Sequence, residues 1–328
     1  MINSIRPKGA MIFAYLIIPV SLFIFTVFVP LLAALYYGFT DWKGGPTKSF
    51  NGLANYVQLI HDTVFWQAFK NNIFLVIACI IGQVGIAFIL VMLINSKLVK
   101  AKGIHRTFGF FPSTISALCI GFVWKMIYDQ RTGLINWFLV NVMGKYPSMK
   151  SAPIWLGGED APIMLILSIP LIWQYIGYYM VILLSAVASI DTEVLESASI
   201  DGATGFQQVR YIIFPLIKNT VLVCITLCIA GNMKAFDSIY AMTEGGPGTS
   251  SMVMALWGYN QSFVSSNLGY GSTISVAIFV LSLAVIGGSQ KFISFLMTDA
   301  YDREENRLKA VRDKEYRQAM KKKRREAK

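Results

Sequence analysis

Hydrophobic residues fall in long unbroken runs along this chain, without the alternation that marks an amphipathic surface helix or a half-buried strand. Six runs are long enough to cross a hydrocarbon core of ~30 Å at 1.5 Å per helical residue. They cover residues 11–39, 73–94, 107–127, 161–190, 212–235 and 274–297. Pro19, Pro30, Pro112 and Pro170 lie inside them; a spanning helix tolerates proline when neighbouring helices satisfy the freed carbonyls. The pattern predicts an all-α integral membrane protein of about six transmembrane helices. Residues 1–10 are then a cytoplasmic N-terminus, 11–298 the transmembrane domain and 299–328 a basic cytoplasmic tail.

The connections set the expected orientation. Arg6 and Lys8 flank the first run, and Lys97, Lys100, Lys102 and Arg106 crowd the short second connection. By the positive-inside rule these segments and the basic tail are cytoplasmic, so both termini share that side of a plasma (inner) membrane. The longer connections at 40–71, 130–160 and 236–272 then face outward as loops rich in Gly, Pro, Trp and Asn. Residues 132–143 suit either a short amphipathic helix or a plain loop. The tail has helical spacing of opposite charges, Glu305 to Lys309 and Asp313 to Arg317, before the basic run from Lys321 to Arg325. That pattern fits a solvated helix with some attraction to anionic lipid.

Composition sharpens this reading. Of 328 residues 55% are hydrophobic and 14% charged, with a mean hydropathy of +0.54. The net charge of +11 is no argument for nucleic acid, because twelve of the 29 Lys and Arg follow residue 298. Cys79, Cys119, Cys224 and Cys228 all sit in apolar runs. With no His, Asp or Glu at ligand spacing they read as small packing residues. The histidines, His61 and His105, both lie in connections. His-Glu-x-x-His metal chemistry is absent, as is a Gly-x-Ser-x-Gly nucleophile motif.

The connection between the fourth and fifth runs is unlike an ordinary loop. It reads SIDTEVLESASIDGATGFQQVRYIIFP from Ser189 to Pro215. Asp191 can cap a short helix with Glu193 in its first turn. Gly202 can end that helix, and Thr204 with Gln207 has the spacing of a capping box that starts a second one. Pro215 falls near the start of the next span. Such a compact helix-turn-helix with small residues on its surface suits docking into another protein.

Here the chain resembles the permease subunits of bacterial ABC importers. Their signature is Glu-Ala-Ala, three residues, Gly, nine residues, Ile, one residue, Leu-Pro. This chain has Glu196-Ser197-Ala198, Gly202, Ile212 and Phe214-Pro215 at that spacing, with Ser197 and Phe214 as departures. Asp201-Gly202-Ala203 is similar to the carbohydrate-uptake variant. The stretches AFDSIYAMTEGGPGTSS and NLGYGSTISVAIFVLS resemble the Gly-Gly-Pro loop and last span of the first permease subunit in maltose-type systems. The extra helices and large outer domain of the maltose subunit have no counterpart here.

The resemblance implies a non-catalytic transport subunit that pairs with a second permease. Two ABC ATPase subunits, which bind the ATP and magnesium, dock on the coupling loop 191–215 through Glu196, Ser197, Ala198, Asp201, Gly202 and Ala203. An extracytoplasmic binding protein delivers an oligosaccharide to the other face. The chain itself lacks a Gly-x-x-x-x-Gly-Lys-Ser/Thr phosphate loop. Polar groups inside spans mark pathways, which singles out Trp173, Gln174 and Tyr178 in the fourth run and Asn232 and Lys234 in the fifth. Interhelical hydrogen bonding and interfacial anchoring would also account for them. Lys234 suits a pair with Asp237, or a carboxylate on an acidic sugar. A permease for a non-sugar solute is the alternative, followed by an ion-coupled transporter. The latter would show internal repeats and a mid-span coupling carboxylate.

Overall fold

A computed structural model of the chain describes residues 9–96, 99–158 and 161–297, with Arg307, Lys309 and Arg312. Among these no strand forms; Thr40 and Phe50 share an isolated antiparallel bridge. The chain separates into two compact units, Met1–Leu283 and Ala284–Lys328. Arg6, Lys8, Lys97 and most of the predicted tail, including Glu305, Asp313, Arg317 and Lys321–Arg325, lie outside the described residues.

In the first unit, α1 (Met11–Tyr37) is exposed along most of its length. The short α2 (Ala54–His61) leads to α3 (Thr63–Asn95), which begins ten residues before the expected run. Asp62 starts it: Oδ1 accepts from the backbone N–H groups of Val64 at 2.9 Å and Phe65 at 3.0 Å. That N-cap draws polar residues into the helix, and its buried face repeats at helical spacing through Phe65, Ala68, Asn72, Leu75 and Cys79.

The predicted third span is not one helix. α4 (Lys102–Thr114) and α5 (Ala117–Ile127) meet at a bend of 96°. Pro112 opens the 3₁₀ turn Phe111–Thr114. The hydroxyls of Ser113 and Thr114 donate to the carbonyls of Phe110 and Phe111, each at 2.7 Å, which closes that end. Beyond the bend the Ile115 carbonyl accepts from Gln174 Nε2 at 3.0 Å. The broken helix therefore leaves five long apolar helices, or six spans if the bent pair counts as one.

Residues 132–143 do contain a helix, α6 (Leu134–Asn141). Its buried Asn136 donates to the carbonyls of Gln130 and Pro153, and accepts from Trp155 Nε1 at 2.8 Å. Next come α7 (Ile163–Ala188), α8 (Thr192–Ile200) and α9 (Gly205–Met233). α3, α7 and α9 pack on one another to form the core. Cys79, Cys224 and Cys228 are buried there, while Cys119 is exposed.

The expected outer loop 236–272 is instead largely helical and buried in part. α10 (Asp237–Thr243) packs on α5, and α11 (Met254–Tyr259) packs on α3. Ile239, Val253, Met254 and Leu256 are almost wholly inaccessible. These runs are too short to register as spans, so their apolar character escaped the length criterion. The last helix, α12 (Leu268–Met297), starts six residues before its predicted run. Asp62 Oδ2 accepts from Trp257 Nε1 at 2.8 Å and from the Tyr270 hydroxyl, tying α3 to α11 and α12. In the second unit, residues 284–297 continue as helix, and Arg307, Lys309 and Arg312 are helical.

Candidate functional site

Two places carry candidate chemistry. The first is the segment after α7. Asp191 Oδ1 accepts from the Glu193 N–H at 3.1 Å and caps α8. The helix closes through Gly202 at φ +81°, with Gly202 N–H donating to Ser199 O and Ala203 N–H to Ala198 O at 2.9 Å. This is a Schellman closure, which needs the left-handed residue that glycine supplies without a Cβ penalty. Thr204 and Gln207 form the predicted capping box. They open no separate short helix, however, because the turn they start runs unbroken into α9. Pro215 is thus inside a helix. The π segment Val209–Ile213 just before it widens the turn where a proline ring would otherwise meet the preceding carbonyls. Gln208 Nε2 donates to Ser199 Oγ at 2.9 Å and braces the two limbs. Ala198 is buried and Ala203 half-buried, while Glu196, Ser197, Asp201 and Gly202 are exposed. Apolar Ile200, Phe206 and Tyr211 stand out beside them.

The second place is a cavity of about 570 Å³ where α9 ends. The helix stops at Met233, and Lys234 to Phe236 turn the chain into α10. Asn72, fully buried on α3, serves this unwound end. Its Nδ2 donates to the carbonyls of Asn232 at 2.8 Å and Met233 at 3.3 Å, and its Oδ1 accepts from the Met254 N–H at 2.9 Å. The carbonyls orphaned by the helix terminus are thereby satisfied. Tyr175, Tyr178 and Tyr179 line the cavity from α7, at the i, i+3, i+4 spacing that puts them on neighbouring faces. Asn232, Lys234, Phe236 and Asp237 close it from α9 and α10.

The structure thus brings Tyr178, Asn232 and Lys234 together, but not the other two candidates. Trp173 points elsewhere, stands 44% exposed and meets Trp124 edge-on at 6.0 Å. Gln174 is buried with its amide spent on the α4–α5 bend, and its Oε1 has no partner. Lys234 and Asp237 both line the cavity, yet no ion pair joins them among the described residues. Asn232 Nδ2 donates to the Cys228 carbonyl at 2.8 Å.

Residues 86–294 match the family of binding-protein-dependent transport system inner membrane components. The chain belongs to that family. The permease is 35% identical over 253 residues to a probable ABC transporter permease protein of Pyrococcus horikoshii, covering 77% of this chain and 85% of that one. It is 30% identical over 272 residues to the probable starch degradation products transport system permease protein AmyD of Thermoanaerobacterium thermosulfurigenes, at 83% and 89% coverage. Its fold is similar to a chain in the crystal structure of a bacterial ABC transporter involved in the import of the acidic polysaccharide alginate. There the TM-score is 0.72 at 20% identity, covering 87% of this chain and 94% of the other.

Gln83, Tyr175, Tyr179 and Phe236 are among the lining residues of the permease cavity that escaped the sequence reading. Gln83 carried a usable signal, since an amide inside the run IIGQVG is costly in lipid unless paired. It donates to the Leu171 carbonyl at 2.9 Å and accepts from Cys228 Sγ at 3.4 Å. Aromatic residues in apolar runs carry no such mark, because lipid-facing and cavity-facing rings look alike in sequence.

Proposed function

We propose that this permease translocates an oligosaccharide as one transmembrane subunit of an ATP-driven importer. It pairs with a second permease, and both of its termini lie in the cytoplasm. Two ABC ATPase subunits, which carry the ATP and magnesium, dock on the α8 segment through Glu196, Ser197, Ala198, Asp201, Gly202 and Ala203. An extracytoplasmic binding protein delivers the sugar. The observation that carries the reading is the cavity at the unwound end of α9. It offers tyrosine rings beside amide, ammonium and carboxylate groups, which suit the apolar faces and hydroxyls of a sugar. The similarity, at 30% identity, to a probable starch degradation products transport system permease supports the same substrate class.

Reconstitution of the complete transporter with its binding protein tests this. Sugar uptake is expected to require ATP inside the transporter's nucleotide-binding compartment and to be indifferent to proton or sodium gradients. Tyr178→Ala is expected to lower uptake about fivefold, the worth of one lost ring contact, with Tyr178→Phe close to native. Uptake that persists without ATP would overturn the reading.

The docking role of α8 has its own test. Gly202→Val forces a β-branched residue to φ +81° and is expected to cost about 1 kcal/mol or more of local stability. ATP hydrolysis should then no longer respond to sugar-loaded binding protein. Retention of that stimulation in the variant would place the coupling surface elsewhere.

A further inference from the structure

The tyrosine-lined cavity does not end at Phe236. Lys234 and Phe236 also line a second cavity, of about 480 Å³, completed by Tyr259, Ser262, Phe263 and Ser275. A ladder of rings connects the two. Phe236 stacks on Tyr240 at 5.4 Å and 11°; Tyr259 lies 5.4 Å from Phe236 and 5.9 Å from Tyr240; and Phe263 follows at 5.3 Å from Tyr259.

These rings are not sealed in the core. Phe263 is 68% exposed, and Phe236, Tyr240 and Tyr259 are half-buried. The hydroxyls of Tyr240, Tyr259 and Ser262 make no hydrogen bond among the described residues. Ser262 and Phe263 belong to the π segment Asn260–Val264, a distortion that recurs at functional sites. A surface facing lipid alone would not present Lys234 and Ser262 around one hollow, because a polar group without an internal partner is costly there; Ser275 at the same hollow donates to the Gly271 carbonyl at 3.0 Å. A sugar ring matches both features, with its C–H face against the aromatic rings and its hydroxyls toward the amine and the serines.

We propose that the second cavity is an extension subsite for a further unit of the oligosaccharide. This rests on the sugar reading of the first cavity and adds a length preference to it. A short sugar is held by the tyrosine cavity alone. A longer one passes Phe236 and places its next ring against Tyr259 and Phe263, with Lys234 bonding at the junction.

The test compares uptake of a disaccharide and of a longer oligosaccharide of the same sugar by the full reconstituted transporter. Phe263→Leu, on an exposed side chain, and Tyr259→Leu are expected to lower uptake of the longer sugar about fivefold and that of the disaccharide by less than about twofold. Tyr259→Phe keeps the ring and should restore most of the difference. Equal losses for both lengths, or no loss for either, would overturn the subsite. So would loss of the second permease from the purified variants, which would mean that a partner side chain fills the hollow. A wild-type transporter that takes up no sugar of any length would overturn the sugar reading itself, and this inference with it.

Discussion

Gly177→Val is expected to leave the permease unable to hold α4 against the core helix α7. A Cβ at Gly177 would fall inside the Gly109 carbonyl and 2.7 Å from the Phe110 nitrogen. Those neighbours are backbone, so no side chain can rotate away. α4 would have to lift off α7, and no residue of its Lys102–Phe110 stretch is buried to hold it there. Close approach through paired small residues is a common way for membrane helices to gain packing contact. Overpacking at such a crossing costs about 3 kcal/mol. Thermal unfolding in mild detergent should show a large drop in melting temperature for Gly177→Val. Gly103→Ala, on the same helix with open space around it, should stay within about 1 kcal/mol of native. Equal melting of all three proteins would show that the crossing is not where α4 is held.

Removing the carboxylate of Asp62 is the second large effect. One side chain caps α3 through Val64 and Phe65 and receives both Trp257 Nε1 and the Tyr270 hydroxyl. Loss of an N-cap costs about 1 kcal/mol, and hydrogen bonds to a charged group contribute about 1.5–3 kcal/mol each. Tyr270 is almost wholly buried, so water cannot replace its partner. Asp62→Ala is therefore expected to destabilise by about 3 kcal/mol or more. Asp62→Asn should rescue little, because its Nδ2 would face two donors where a second acceptor oxygen is needed. Melting measurements on the two variants check this, and an asparagine variant near native stability would refute the account.

The parts of the molecule that were legible in the sequence are those built from local rules. The α8 segment is the clearest case: Asp191, Gly202 and the Thr204–Gln207 pair each act within a few residues of themselves. The long apolar runs were equally readable because length alone identifies them. The α4–α5 bend was not, since Pro112 is compatible with a straight span and the break is held by Gln174, 59 positions away. Nor was the burial of residues 236–272, which depends on contacts such as Asn71 Nδ2 to the Ser250 and Met252 carbonyls. At the cavity, Tyr178, Asn232 and Lys234 stood out as polar groups near an apolar run. Trp173 stood out equally and faces away, because polarity marks a residue without fixing its direction around the helix.

The π segments have a bearing on ancestry. Four occur among the described residues, at Ile24–Phe28, Ile80–Gly85, Val209–Ile213 and Asn260–Val264. Each accommodates one residue more than an ordinary helical turn. A descendant that lost the extra residue would keep the same helix but rotate everything past that point by about 100°. Equivalent positions in related permeases are therefore best matched separately on each side of a widened turn. Gln83 and Phe263 sit inside such turns, so their counterparts are to be matched by structure and not by counting along the helix.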